Sequence, residues 1–128
     1  MKAFAVAASV GLLAVLGSAG SSSAHHAINA QFDVTNELTA TGVLTKFEAI
    51  SPHPYWHFDI KTQSGAVEDW TFVSGAPALL RRAGLRVREE IVPGTTFTLH
   101  YNLARNGDKM GFIRAVTIRG QRVRLSNS

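Results

Sequence analysis

Histidines are concentrated at two places in this sequence, where their imidazole nitrogens could bind a metal ion. His25 and His26 follow the apolar N-terminal segment, whereas His53 and His57 lie in and just after the sequence Ser51–Pro54, here called the Pro-His-Pro corner. Ligation by imidazole nitrogen alone suits Cu(II) best among the first-row divalent ions, with zinc and nickel behind it. These four histidines are therefore the candidate ligands of a copper site.

Proteolytic cleavage after Ala24 would make His25 the N-terminal residue. Its α-amine and imidazole could then chelate one metal ion together, and a third imidazole would complete a T-shaped site of three nitrogens. The simple N-terminal copper-binding peptide motif needs a histidine at the third position, which Ala27 occupies. The folded domain must therefore supply the third nitrogen, and His53 or His57 is the natural donor.

Two prolines hold His53 in place, because Pro52 and Pro54 fix their own φ and favour extended geometry in the residues before them. If a strand begins at about Pro54, side-chain alternation predicts that Trp56, Phe58 and Ile60 face the core. The opposite face then carries His53, Tyr55, His57 and Asp59. On that face Tyr55 and Asp59 would support the metal ligands, and His100 on a later strand is a spare donor.

Three hypotheses about function remain open. In the first, the protein is a non-enzymatic binding protein for a metal ion or a small ligand. In the second, the histidines are purely structural and a basic surface docks an acidic protein partner in the bacterial envelope. In the third, it is a small copper-dependent oxidase. Neither a His-Glu-x-x-His nor a Gly-x-Ser-x-Gly motif occurs, so we expect no enzyme.

The N-terminus predicts export. Met1 and Lys2 precede an apolar run and a stretch of small residues, the pattern of a cleaved signal peptide. Cleavage after Ala19 and cleavage after Ala24 both satisfy the small-x-small rule. We expect a signal peptide over residues 1–24, an extended arm over 25–37 and one domain over 38–128, located in the periplasm or secreted, with no transmembrane segment left after cleavage.

Composition limits how the domain can be stabilised and what it can bind. The chain has 128 residues and no cysteine, so a packed core must replace disulfides and thiolate metal sites are excluded. The formal net charge is +4, and Lys2 is the only charged side chain in residues 1–24, which leaves +3 on the mature chain. All arginines follow residue 80, which favours an acidic partner, whereas export argues against nucleic acid.

The order of predicted elements is strand, strand, strand, short helix, strand, strand. The first strand, Leu38 to Ile50, is long, and Gly42 predicts a bulge or bend in it. The helix begins at about Pro77, with Ser74 as a candidate cap, and a connector with exposed Glu89 and Glu90 follows it. This order predicts an all-β OB-fold-like five-stranded barrel with one short helix.

Several short motifs recur in a known order in one family. They are Ala24-His25-His26, Phe32-Asp33, Thr41-Gly42-Val43, Pro52-His53, Asp69-Trp70-Thr71-Phe72 and the segment from Pro77 to Gly84. In these motifs the chain resembles DUF6152, small exported bacterial proteins of unknown function, over essentially its whole mature length. Ser51 replaces the family's usual asparagine before Pro-His, and His57 replaces an aliphatic residue. The resemblance implies export and a small β domain but brings no established activity.

Overall fold

Five of six strands close into a barrel in the computed structural model, which describes residues 26–126. The strands are β1 (Leu38–Glu48), β2 (Tyr55–Lys61), β3 (Val67–Val73), β4 (Thr96–Leu103), β5 (Met110–Ile118) and β6 (Gln121–Arg124). The helical segments within the described range are α1 (26–31), α2 (Pro77–Arg82) and α3 (Val87–Glu90).

The strand pairing is that of the predicted OB-fold-like barrel. β1 pairs antiparallel with β2 on one side and with β4 on the other, while β3 follows β2 and β5 follows β4. A parallel pairing of β3 with β5 then closes the barrel, and β6 extends it from the edge of β5. The prediction of a five-stranded barrel is confirmed, with one added strand and additional short helices.

Gly42 lies where β1 pairs with both of its neighbours. It is opposite Ile60 of β2 and Phe97 of β4, and a Cβ atom at this position would lie 2.9 Å from the Asp59 carbonyl oxygen. Glycine is therefore required by the close approach of β2. The register shift of β1 falls between Leu44 and Lys46, so the irregularity comes just after the predicted position.

The barrel interior is an aromatic cluster. Trp56 and Phe58 are fully buried and stack with 6.4 Å between ring centroids, and both meet Phe97 edge to face. Phe72 joins this group through edge-to-face contact with Phe58, and Ile60 is also buried. The predicted alternation of β2 is thus confirmed: its even-numbered residues form core, and its odd-numbered residues lie on the outer face.

The region of α2 differs from the predictions in two details. Pro77 begins the helix as predicted, but its N-cap residue is Ala76, so Ser74 is not the cap. The connector after α2 contains the short helix α3, and its Glu90 is buried while Glu89 is exposed. Glu90 is buried because it accepts a hydrogen bond from the Arg86 backbone N–H and pairs with Arg119, which a linear pattern cannot reveal.

The predicted extended arm is helical over residues 26–31. Ile28 and Phe32 lie four residues apart, so one side of α1 contacts a small apolar cluster with Val73, Ala104 and Phe112.

Among residues 26–126, the helices contain no segment that could span a lipid bilayer. The predicted signal peptide and His25 lie outside the described residues.

Candidate functional site

His53 is held by one ring nitrogen. Its Nδ1–H donates to the carbonyl oxygen of Ser74 over 3.0 Å. A carbonyl oxygen can only accept, so the proton of the neutral imidazole lies on Nδ1 and Nε2 retains its lone pair. A histidine held in this tautomer by a backbone carbonyl has the arrangement that proteins use to orient a metal-binding imidazole.

Ser74 anchors the imidazole of His53 to the barrel core. The residue is fully buried; its hydroxyl accepts from the indole N–H of Trp56 over 2.8 Å and donates to the Gly75 carbonyl oxygen over 3.0 Å. Since Trp56 is itself fully buried, this chain of hydrogen bonds fixes the backbone that His53 contacts. This role of Ser74 is not visible in local sequence patterns, although a buried indole N–H in a strand signals the need for an acceptor nearby.

Phe112 connects the Pro-His-Pro corner to the N-terminal helix. The His53 ring meets Phe112 edge to face at 6.2 Å between centroids, and the ring of Phe32 packs on Phe112 at 5.9 Å. Phe32 directly follows α1, and it is fixed by an isolated β-bridge to Ala104. The Phe112 ring therefore lies between His53 and Phe32, which directly follows the C-terminal end of α1. Exposed His26 lies at the opposite end of the described part of this helix.

His57 has partners for both ring nitrogens. Nε2–H donates to Oε2 of Glu48 over 2.8 Å, and Nδ1 lies 3.4 Å from the hydroxyl of Thr71. The His57 side chain thus links Glu48, the last residue of β1, to Thr71 within β3 across the outer face of β2. Of the two corner histidines, His53 is the better donor, because a metal ion on His57 would have to displace one of these partners.

The remaining candidates are spread over the surface. His100 lies on β4 with Nε2 2.9 Å from the Thr117 hydroxyl and Nδ1 3.9 Å from a carboxylate oxygen of Glu37. Tyr55 and Asp59, predicted to support a metal site, are exposed on the outer face of β2. Within residues 26–126, no three His, Asp or Glu side chains converge in a group that could hold a metal ion. A site at His53 that is built from such side chains therefore needs at least one donor from outside residues 26–126.

The pairing of Glu48 with His57 gives a testable pH dependence. The hydrogen bond from His57, and then that from Lys46, lower the pKa of the Glu48 carboxyl. A lowered pKa in the folded protein adds stability that is present above the ordinary glutamate value, about 4.3, and is lost as the pH falls through the folded-state pKa. We therefore expect the free energy of unfolding of Glu48→Gln to fall less on acidification than that of the wild type.

Urea unfolding of the wild type and Glu48→Gln at a series of pH values from neutral to acid measures this effect. Glu89→Gln, which removes an exposed carboxylate on α3, is the matched control. The difference in unfolding free energy between wild type and Glu48→Gln should shrink as the pH falls. Profiles that stay parallel over the whole range would rule out the stabilising pair.

Comparison with protein families places most of the chain in one of them. Residues 13–119 match the model described as "Family of unknown function (DUF6152)". The matched segment includes all five barrel strands and His25, His26, His53 and His57, and it stops before β6. No curated protein matches the chain.

Proposed function

The chain belongs to DUF6152, a family of unknown function. We propose that it is an exported, non-enzymatic barrel protein that binds Cu(II). His53 provides Nε2 from the Pro-His-Pro corner, and His25 provides its α-amine and imidazole after signal cleavage. Exposed His26 is the alternative N-terminal imidazole in this proposal. His57 remains a structural side chain in this proposal.

The observation that carries the proposal is the hydrogen bond from His53 Nδ1–H to the Ser74 carbonyl oxygen. It leaves Nε2 as the lone-pair nitrogen on a ring whose orientation is fixed by buried groups on two sides, Ser74 and Phe112. A fixed ring loses little rotational freedom on binding, so its nitrogen is a better ligand than that of a mobile surface histidine.

The position of α1 supports the participation of the N-terminus. Phe32 and Ile28 pack in the apolar cluster that contains Phe112, and Phe112 also contacts the His53 ring. α1 spans residues 26–31, a distance of about 9 Å at 1.5 Å per residue. This short connection from Phe32 to His26 supports the proposal that the preceding residue, His25, takes part in the site.

Copper titration of two chains that differ only at the N-terminus tests the proposal. One chain begins at His25 with a free α-amine, and the other is the same chain with that amine acetylated, which removes the amine donor but keeps every imidazole. We expect the chain beginning at His25 to bind one Cu(II) more tightly by at least about tenfold, because the amine–imidazole chelate is lost in the other. Equal affinities, or an exported protein whose mass shows cleavage after Ala19, would refute the proposal.

The second candidate is an interaction module that docks an acidic protein. The late arginines favour it: Arg114, Arg122 and Arg124 lie together on β5 and β6. A partner held by these charges would be released by high salt and retained in the presence of chelators. A partner that is retained in high salt but released by a chelator would contradict this second candidate.

A further inference from the structure

A groove lies where α2 and α3 meet the end of β1, and none of its lining residues belongs to the proposed copper site. Phe47 of β1, Pro77 of α2 and Val87 of α3 are among the residues that line it. We call it the helix groove. Its volume is about 710 Å³, which is in the range of pockets that bind small molecules. The helix groove is therefore large enough for an organic ligand.

The helix groove presents apolar surface to solvent. Phe47, Pro77 and Val87 are only partly buried, so each side chain keeps an accessible part that a ligand can contact. Leu85 and Ile91 also line the groove, but they are almost fully buried in the barrel core. A hydrocarbon chain lying on the three accessible side chains would remove their apolar surface from water, which is favourable.

The apolar side of the helix groove is held in place by the core. Phe47 meets the ring of fully buried Trp56 edge to face, with 5.1 Å between ring centroids, and Val87 packs against the same core cluster. Glu90 ties α3 to the turn after β5, because its carboxylate pairs with Arg119. A groove whose walls are already ordered loses little conformational entropy when a ligand binds.

Arginine side chains give the helix groove a positive charge. Arg81, Arg86 and Arg88 line it, and all three are exposed. Arg86 already has a partner, since its guanidinium lies 3.6 Å from a carboxylate oxygen of Glu90. Arg81 and Arg88 form no ion pair with any residue between 26 and 126. The acidic residue that lines the groove is Glu89, so two unpaired guanidinium groups face one carboxylate and the excess favours an anion.

We propose that the helix groove binds a free anionic amphiphile, a single hydrocarbon chain that ends in a carboxylate. The chain lies on Phe47, Pro77 and Val87, and the carboxylate accepts hydrogen bonds from Arg81 or Arg88, whose planar guanidinium groups suit it. Because the apolar surface lines a groove, it fits one chain better than the flat surface of a bilayer. The affinity of this site therefore depends both on the length of the chain and on the sign of its charge.

Isothermal titration of the mature chain with decanoate, octanoate and decyltrimethylammonium, each below its micelle-forming concentration, tests the proposal. Each buried methylene contributes up to about fourfold in affinity, so decanoate should bind several-fold more tightly than octanoate. Decyltrimethylammonium has the same chain with a positive charge, and we expect it to bind at least about tenfold more weakly than decanoate. Equal binding of the two decyl compounds, no dependence on chain length, or binding only to anionic vesicles would overturn the proposal.

Two adjacent arginines of α2 provide a matched pair of variants that locates the binding. Arg81 lines the helix groove, whereas Arg82 is equally exposed but is not one of its lining residues. Arg81→Gln should weaken decanoate binding by about fivefold, and Arg82→Gln should leave it unchanged. Glu89→Gln removes the competing carboxylate, so it should tighten binding, a result that misfolding cannot imitate. Equal losses in the two arginine variants, or an affinity unchanged in both, would contradict a site in this groove.

Discussion

His53→Ala is expected to abolish tight copper binding by the chain that begins at His25. Loss of a partner that merely orients a ligand costs roughly 10–100-fold in metal affinity, and loss of the ligand itself should exceed that range. The substitution removes a half-buried ring that contacts Phe112 and the Ser74 carbonyl, so some loss of stability accompanies it. Competition titration with a chelator of known copper affinity measures the change.

His57→Ala is the matched control for this experiment, because it removes an imidazole four residues away that is paired with Glu48. It should leave the copper affinity within a few-fold of wild type. His53→Gln separates ligation from packing, since the amide can still donate to the Ser74 carbonyl but offers no imidazole nitrogen. An affinity unchanged in both His53 variants, or lost equally in His57→Ala, would exclude His53 as a ligand.

Trp56→Ala is expected to lower the free energy of unfolding by about 3–5 kcal/mol, which is a large part of the total for a small domain. Trp56 is fully buried, meets the rings of Phe47, Phe58 and Phe97, and donates to the Ser74 hydroxyl. Its removal would leave a cavity at the centre of the aromatic cluster and a Ser74 hydroxyl oxygen that no longer accepts a hydrogen bond from the indole. Urea denaturation followed by circular dichroism measures the loss.

Trp56→Phe separates the two contributions of this side chain. It keeps most of the aromatic packing but removes the indole N–H, so we expect a smaller loss, about 1–3 kcal/mol. Tyr55→Ala, at the neighbouring exposed position, should change the stability by no more than about 0.5 kcal/mol. If Trp56→Ala were no more destabilising than Tyr55→Ala, the described core would be wrong.

The barrel could be predicted because its signals are local. Alternation in β2 and β4, the Pro77 helix start and the order of elements each depend on neighbouring residues, and together they indicate one topology. The helix α1 was not predicted because its stability depends on distant residues. Ile28 in the helix and Phe32 just after it pack against Ala104 and Phe112, which the barrel brings to them. Burial of Glu90 was missed for the same reason, since Arg119 lies on a distant turn.

The sequence indicated where the candidate site lies but not which of its two corner histidines is the better metal ligand. Proline geometry and spacing indicated the corner, yet they treat His53 and His57 alike. What separates the two histidines is the partner of each ring, and these partners come from the pairing of β2 with β1 and β3. The late arginines were likewise only a basic surface in the sequence, because the strand pairing is what brings Arg114, Arg122 and Arg124 together.

The most direct measurement is nuclear magnetic resonance of the chain beginning at His25 while Cu(II) is added in small amounts. Paramagnetic copper broadens the signals of the nuclei nearest to it. We expect the ring signals of His53 and the backbone signals of the first described residues of α1 to broaden together, while the ring signals of His57 and His100 persist. Broadening confined to the first residues of the chain, with His53 unaffected, would contradict a copper site shared between the N-terminus and the Pro-His-Pro corner.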